Sequence, residues 1–589
     1  LDNQRNIIIA VVLSLGLLFG FDFLMGRLYP QPTVTDPVRA EVSGAPSTRA
    51  AARHIRDGGL VDPAEMAEET RDLTTALATP QRVAIDAPRI AGSINPTGAR
   101  IDDVVLKDHR QAVTQDSGPV RLFSPAGTPA QQFAQFGWVG QGVAVPTPDT
   151  AWQVSGGPLT QDSPVTLTWN NGQGQLFTIR YSIDADYMLT VEQRVVNRAS
   201  GSIALQPYGF INRTSRTASQ DTWNVHSGPI GNFAGSVNFD WNYGDVDEDG
   251  STTLPGRADW IGFTDIYWLS AIVPQAGVGT EGSFRALGNE TYRADVLYDP
   301  VTLNSGTQAS HTSRLFIGAK ESDLLDRYQD AGVSNFGLAI DWGWFHWFMI
   351  PIFALLKKLF ELTGNFGVAI ILLTVIVRAI MFPIAQKSFA SMAQLRAVQP
   401  KMKAIQERYK GDKAELQQQM AKLYKDEKVN PLGGCLPMLL QIPIFFALYK
   451  TLLVAIEMRH QPFALWIKDL SAPDPAMILN LFGLLDFTPP SFLGIGVMAV
   501  LLGASMWLQF KLNPQALDPI QQQVFAIMPW MLMFVMAPFA AGLLLYWITS
   551  NVLTLAQQKY LYSRHPQLKE AMEKEAADKA RAAAREAKE

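Results

Sequence analysis

The chain has 589 residues, 47% of them hydrophobic and 17% charged, with a formal net charge of -5. A chain this apolar and slightly acidic is neither a disordered tail nor a DNA-binding protein, so no DNA partner is expected. Its one cysteine, Cys435, excludes an intrachain disulfide framework and Cys-based zinc or iron-sulfur sites, and HExxH and GxxxxGK[ST] are missing; no metal, cofactor or enzymatic activity is expected.

Residues 1–5 precede an apolar run over 6–25 that is long enough to cross a bilayer. Arg5 before it and acidic sequence behind it set the N-terminus in the cytoplasm by the positive-inside rule. With no small-x-small site close behind, the run reads as an uncleaved anchor rather than a signal peptide. Residues 26–79, rich in Pro, Ala, Ser, Glu and Asp, read as a flexible extracytoplasmic linker. Over 80–335, short alternating segments such as 82–85, 165–169, 176–183, 187–196, 267–273 and 310–317 lie between Gly, Asn, Asp and Pro clusters. That pattern predicts a large all-β sandwich. The acidic segment 245–250 resembles a calcium loop only superficially and is expected to be a solvated turn. Residues 341–364 crowd Trp342, Trp344 and Trp347 with Lys357 and Lys358, which suits an amphipathic helix in the headgroup layer. A buried helix of the β domain is the alternative.

Five further spans are predicted: 366–386, 431–456, 490–510, 520–537 and 541–559, the last two from about forty residues without a formal charge. Between the first two of these, residues 387–430 form a helical hairpin in which apolar residues recur every three or four positions, with Gly411 as breaker and Asp412 as N-cap. Ten Lys/Arg against five Asp/Glu over 387–428 place it in the cytoplasm. Lys401, Lys403, Arg408, Lys413, Lys422 and Lys425 could contact anionic lipid, ribosomal RNA or acidic partners, or could form a solvated face. The loop 457–489 lies outside, with a short apolar piece at 477–485 that reads as interfacial or re-entrant. Residues 511–519 and the tail 560–589 lie inside. The fold class is thus a polytopic α-helical membrane protein with six spans, a large extracytoplasmic β domain and a cytoplasmic helical hairpin.

Arg378 carries the most functional information. A guanidinium within a span costs about 2.5 to 3.5 kcal/mol on insertion scales, so it should face protein or water. Thr374, four residues earlier, shares its helical face. Gln441, Ser505, Gln509 and Ser550 are polar candidates on other spans, and none of the five later spans offers an acid to neutralise the arginine. Either these groups line a hydrated groove that attracts a polar segment in transit, or Arg378 snorkels to the cytoplasmic headgroups. A secondary transporter is the alternative class, although no repeated halves are visible.

The block Asn430-Pro431-Leu432-Gly433-Gly434-Cys435-Leu436-Pro437 with Gln441-Ile442-Pro443, the stretch Pro462-Phe463-Ala464-Leu465-Trp466-Ile467, and Gly542-Leu543-Leu544-Leu545-Tyr546-Trp547 with Ser550-Asn551 resemble the bacterial YidC membrane protein insertases. The resemblance is strongest from Asp341 to Tyr562. It implies an inner-membrane insertase and chaperone that takes nascent membrane proteins from ribosomes, alone or with the Sec translocon, without nucleotide hydrolysis. It also implies a β-supersandwich domain, Arg378 and Thr374 as groove residues, and Trp547 as part of an apolar slide contacted by substrates. Trp547 stands where relatives often carry Tyr, so a hydroxyl at that position is not available.

Overall fold

The computed structural model describes residues 59–60, 62–113, 117–219, 225–343, 345–409, 411–427, 429–430, 436–483, 485, 494–512 and 519–564. The predicted first span and nearly all of the C-terminal tail lie outside them.

Two antiparallel sheets, of ten and nine strands, face each other across one core. Strand period sets what enters it: along Gln175–Ile183, Phe177, Ile179, Tyr181 and Ile183 are buried while their neighbours are not. In the opposite sheet, Thr291–Tyr298 buries Tyr292, Ala294, Val296 and Tyr298 on the same alternation. Each such large apolar side chain contributes about 1.5 to 3 kcal/mol on burial. Gly262 is required by close packing, since a Cβ there would lie 1.9 Å from the Ser270 carbonyl of the next strand.

Two segments differ from their expectation. Within the predicted linker, α1 (Pro63–Leu77) is a regular helix. Asp62 caps it, accepting from the Ala64 amide at 2.7 Å, and Pro63 occupies the first turn. Glu69 fastens it to the β domain by accepting from the Ala130 amide at 2.8 Å. The bulk composition suggested a solvated chain, but local capping and one docking bond decide otherwise. The acidic segment is likewise helical: α2 (Tyr243–Asp249) begins with a reciprocal capping box between Asn242 and Asp245, and Asp247 accepts from the Tyr292 hydroxyl.

Beyond the sandwich, α3 (Ser322–Asp330) leads to α4 (His346–Thr363), which buries Met349, Phe353 and Leu356 and exposes Trp347 and Leu362. Gly364 ends α4 in the left-handed region at φ 67°, which a side chain would resist. Asn365 then turns the chain into α5 (Phe366–Ala397), accepting from the Val368 amide and donating to the Phe463 carbonyl at 2.9 Å. The hairpin arms are α6 (Gln399–Arg408) and α7 (Lys413–Asp426), the second capped by the Asp412 carboxylate. They are followed by α8 (Leu436–Val454), α9 (Val497–Leu512), α10 (Pro519–Met536) and α11 (Ala541–Arg564).

Among the described residues one segment, Phe366–Ser391, is both long and apolar enough to cross a membrane; Leu439–Val454, Val497–Lys511 and Ala526–Met536 are apolar but shorter. These helices and α11 leave Ile380, Leu439, Ile442, Ile527, Phe534 and Val552 exposed. An apolar surface of this kind is suited to lipid and would be a liability in water.

A charged cluster joins the β domain to the start of α3. Arg89 bonds both Asp108 and Glu321, and His109 adds to Glu321 at 3.4 Å. Burial pushes the Glu321 carboxyl up, but His109 and Arg89 outweigh it and hold it at about 2. Because the folded value lies below the ordinary 4.5, this group stabilises the fold above about pH 4.5 and its contribution is lost as pH falls toward 2. Glu321→Gln is therefore expected to lower the unfolding midpoint at pH 7. The gap to the unaltered chain should close as pH is lowered to 2, as read by intrinsic fluorescence during heating.

Candidate functional site

Four helices bring the polar residues of the apolar region together. On α5, the Arg378 Nε donates to the Ser550 hydroxyl of α11 at 3.2 Å, and its Nη2 reaches the same oxygen. Among the described residues no carboxylate lies within ion-pair distance of this guanidinium. Its described side-chain partner is a neutral acceptor. The helix period explains the rest of the strip: one turn earlier, Thr374 is 1% exposed and donates to the Ile370 carbonyl at 2.6 Å. Its hydroxyl is thereby turned into its own helix rather than toward an opening.

From α8, the Gln441 amide donates to the Tyr546 hydroxyl on α11, close beside the arginine's helix. Tyr546 is almost fully buried, and its neighbour Trp547 packs edge-on against Phe445 of α8 at 5.1 Å. The Asn551 amide donates to the Ser505 hydroxyl of α9 at 2.9 Å, and Ser505 itself donates to the Leu502 carbonyl. Gln509 is half-buried one turn further along α9. The arrangement therefore joins Arg378, Gln441, Ser505, Ser550 and Trp547 across four helices, while Thr374 is buried with its hydroxyl on its own helix. It offers a cation, amides and hydroxyls.

Sequence reasoning missed two participants. Tyr546, not only Trp547, supplies a polar aromatic contact to Gln441, and its place beside Trp547 in an apolar run gave no sign of which ring would turn inward. Lys450 is 2% exposed in α8 and bonds Asp341 at 3.1 Å, an oxygen that also accepts from the His226 amide. Lys450 stands inside the predicted 431–456 span, so a charge inventory of that segment would have singled it out.

In the hairpin, Lys401 is exposed and pairs with Glu427 at 2.5 Å across the two arms. Arg408, Lys422 and Lys425 are exposed. The side chains of Lys403 and Lys413 fall outside what the structure describes.

An apolar helical bundle with an internal arginine, joined to a large β-sandwich, is the build of a membrane protein with a large domain outside the bilayer. Two family matches cover most of the chain: the 60Kd inner membrane protein family over residues 358–570, and the YidC periplasmic domain over residues 82–355. The membrane protein insertase YidC of Zymomonas mobilis subsp. mobilis is 44% identical over 567 residues, 96% of each chain, and that of Beijerinckia indica subsp. indica is 40% identical over 581 residues, again 96% of each. A crystal structure of an active YidC insertase with its first transmembrane domain resolved is 18% identical, covering 82% of this chain and 93% of that one at a TM-score of 0.37. A galactose mutarotase-like protein from Lactobacillus casei covers 40% of this chain and 100% of its own, at 12% identity and a TM-score of 0.30. The chain belongs to the YidC family of membrane protein insertases.

Proposed function

We propose that this chain inserts and helps fold inner-membrane proteins through a hydrated groove built around Arg378, with six spans, a cytoplasmic hairpin and no nucleotide hydrolysis. The observation that carries the reading is the arginine itself: an internal guanidinium bonded to the Ser550 hydroxyl, with no carboxylate in ion-pair range among the described residues. A charge met by no described counter-ion in an apolar bundle attracts a polar or acidic segment that has to cross. Gln441, Ser505, Gln509 and Ser550 supply exchangeable hydrogen bonds along the route, and Trp547 with Phe445 gives the apolar part of the passenger a surface to slide on. Partitioning of that apolar part into lipid supplies the driving free energy, about 0.8 kcal/mol for each buried methylene.

The substrates are nascent membrane proteins, received from the ribosome at the basic hairpin or shared with the Sec translocon, and lipid surrounds the exposed apolar helix faces. A photoreactive residue at Trp547 or Gln441 is expected to crosslink to the apolar segment of a ribosome-bound nascent membrane protein, and one at exposed Leu362 on α4 is not. Equal crosslinking from all three positions would remove the groove from the account.

A further inference from the structure

The interior of the sandwich holds a cavity of about 60 Å³ between the two sheets. One wall is the strand pair Met188–Asn197 and Gln308–Ala319 of the nine-stranded sheet, and Trp138, Leu205 and Tyr298 of the ten-stranded sheet form the other. Inward positions of a sandwich are normally apolar, yet Gln193 and His311 stand directly opposite each other across this strand pair and both line the cavity. Gln193 is 1% exposed. Its amide nitrogen donates to the Gly137 carbonyl of the facing sheet at 2.7 Å, which fixes the side chain's orientation and leaves Oε1 a buried acceptor without a partner among the described residues. The His311 Nε2 is enclosed and unpartnered in the same way, and the Tyr298 ring packs against the imidazole at 3.7 Å between centroids.

Buried polar groups in native interiors are nearly always hydrogen-bonded, so two such atoms side by side call for an occupant. Burial pushes the imidazole down to about 4, and at neutral pH it carries no charge. With its proton on Nε2, a single hydroxyl satisfies both atoms, accepting from the imidazole and donating to the Gln193 Oε1. An ammonium would meet that N–H head-on, and a carboxylate or phosphate would face the amide oxygen.

Size and lining narrow the choice. The cavity has room for about two waters, at roughly 30 Å³ each. A second water would meet Trp138, Val195 and Leu205 without a polar partner, whereas a methylene is favoured against them. The shape is that of a hydroxymethyl group, its oxygen between Gln193 and His311 and its carbon on the apolar walls. At the mouth, Ser310 is engaged by donating to Glu192 at 3.0 Å, and Asp299, the one carboxylate of the lining, is exposed and can accept a further hydroxyl. His311 stands about eight residues, roughly 26 Å of strand, before Ala319, the end of the strand that leads to the contact of Ser322 with Glu457 beyond α8. The cavity is thus remote from the bundle, and its occupant comes from solution rather than from a lipid headgroup.

We propose that this cavity binds the hydroxymethyl end of a small neutral polyol, with one oxygen seated between Gln193 and His311 and the remaining hydroxyls at the mouth. The site is separate from the Arg378 groove and does not depend on the insertase reading. The full-length chain in lauryldimethylamine oxide, a detergent without carbon-bound hydroxyls, is mixed with glycerol, and saturation transfer from protein to glycerol is read by proton NMR. Glycerol is expected to receive saturation from the unaltered chain and about fivefold less from His311→Phe and from Gln193→Leu, each of which removes one partner of the seated hydroxyl. Gln193 also ties the two sheets through the Gly137 carbonyl, so a third variant guards against misfolding. Val301→Trp keeps both polar atoms, closes the mouth from an exposed position and should lose the signal equally. Equal transfer to glycerol in all four proteins, or none in the unaltered chain, overturns the site. Stronger transfer to ethylammonium than to glycerol overturns the hydroxyl and assigns an amine.

Discussion

Arg378→Ala is expected to reduce insertion of membrane proteins with acidic extracytoplasmic segments by at least about tenfold, while substrates with short uncharged segments lose much less. The magnitude follows from the value of a hydrogen bond to a charged group, about 1.5 to 3 kcal/mol, applied to a passenger group with no other cation to meet. Ser550 is the only described side chain that bonds the guanidinium, so truncation strands one hydroxyl, which can turn to its own helix as Thr554 does toward the Ser550 carbonyl. The fold should therefore survive. Arg378→Lys keeps the charge but not the fork of donors and should recover part of the activity. Reconstituted insertion of a matched pair of substrates, differing only in acidic residues, measures this. Equal losses for both would mean that the charge has no role in recognition.

Lys450→Ala is expected to cost about 3 kcal/mol of stability, since it removes the buried partner of a largely buried ion pair and leaves Asp341 with Lys320 beyond ion-pair distance. The pair links the middle of the chain's architecture: Asp341 closes the periplasmic domain, accepts from the His226 amide, and meets a lysine from α8. The neutral double variant Lys450→Met with Asp341→Asn should recover more than half of the loss, because an amide oxygen still accepts from His226 while the buried charge is gone. Heating the purified chain in detergent and following protease cleavage between the two parts would measure it. A Lys450→Ala protein as stable as the unaltered chain would show that the pair does not secure the domain.

Much of this architecture is legible in the residues because it is local. A two-residue alternation announces strands such as Gln175–Ile183, and the long apolar run of α5 announces a helix that is too greasy for water. Arg378 stands out for the same reason, as a charge where hydrocarbon is expected. The helix Pro63–Leu77 was hidden by its bulk composition, although Asp62 followed by Pro63 is a start signal when read by itself. Spacing along one arm of the hairpin could not reveal that Lys401 meets Glu427 from the other.

Sequence alone therefore determined the class of protein, the placing of its β and helical parts, and the residue types able to serve a polar segment in an apolar bundle, because period and hydropathy are properties of short stretches. Tertiary structure decided the pairings: Ser550 under Arg378, Tyr546 against Gln441, Lys450 on Asp341, and Glu457 capping a helix more than a hundred residues before it. Such contacts depend on the angle and rotation at which distant elements pack, and burial then selects the few polar partners that avoid leaving a donor or a charge unsatisfied.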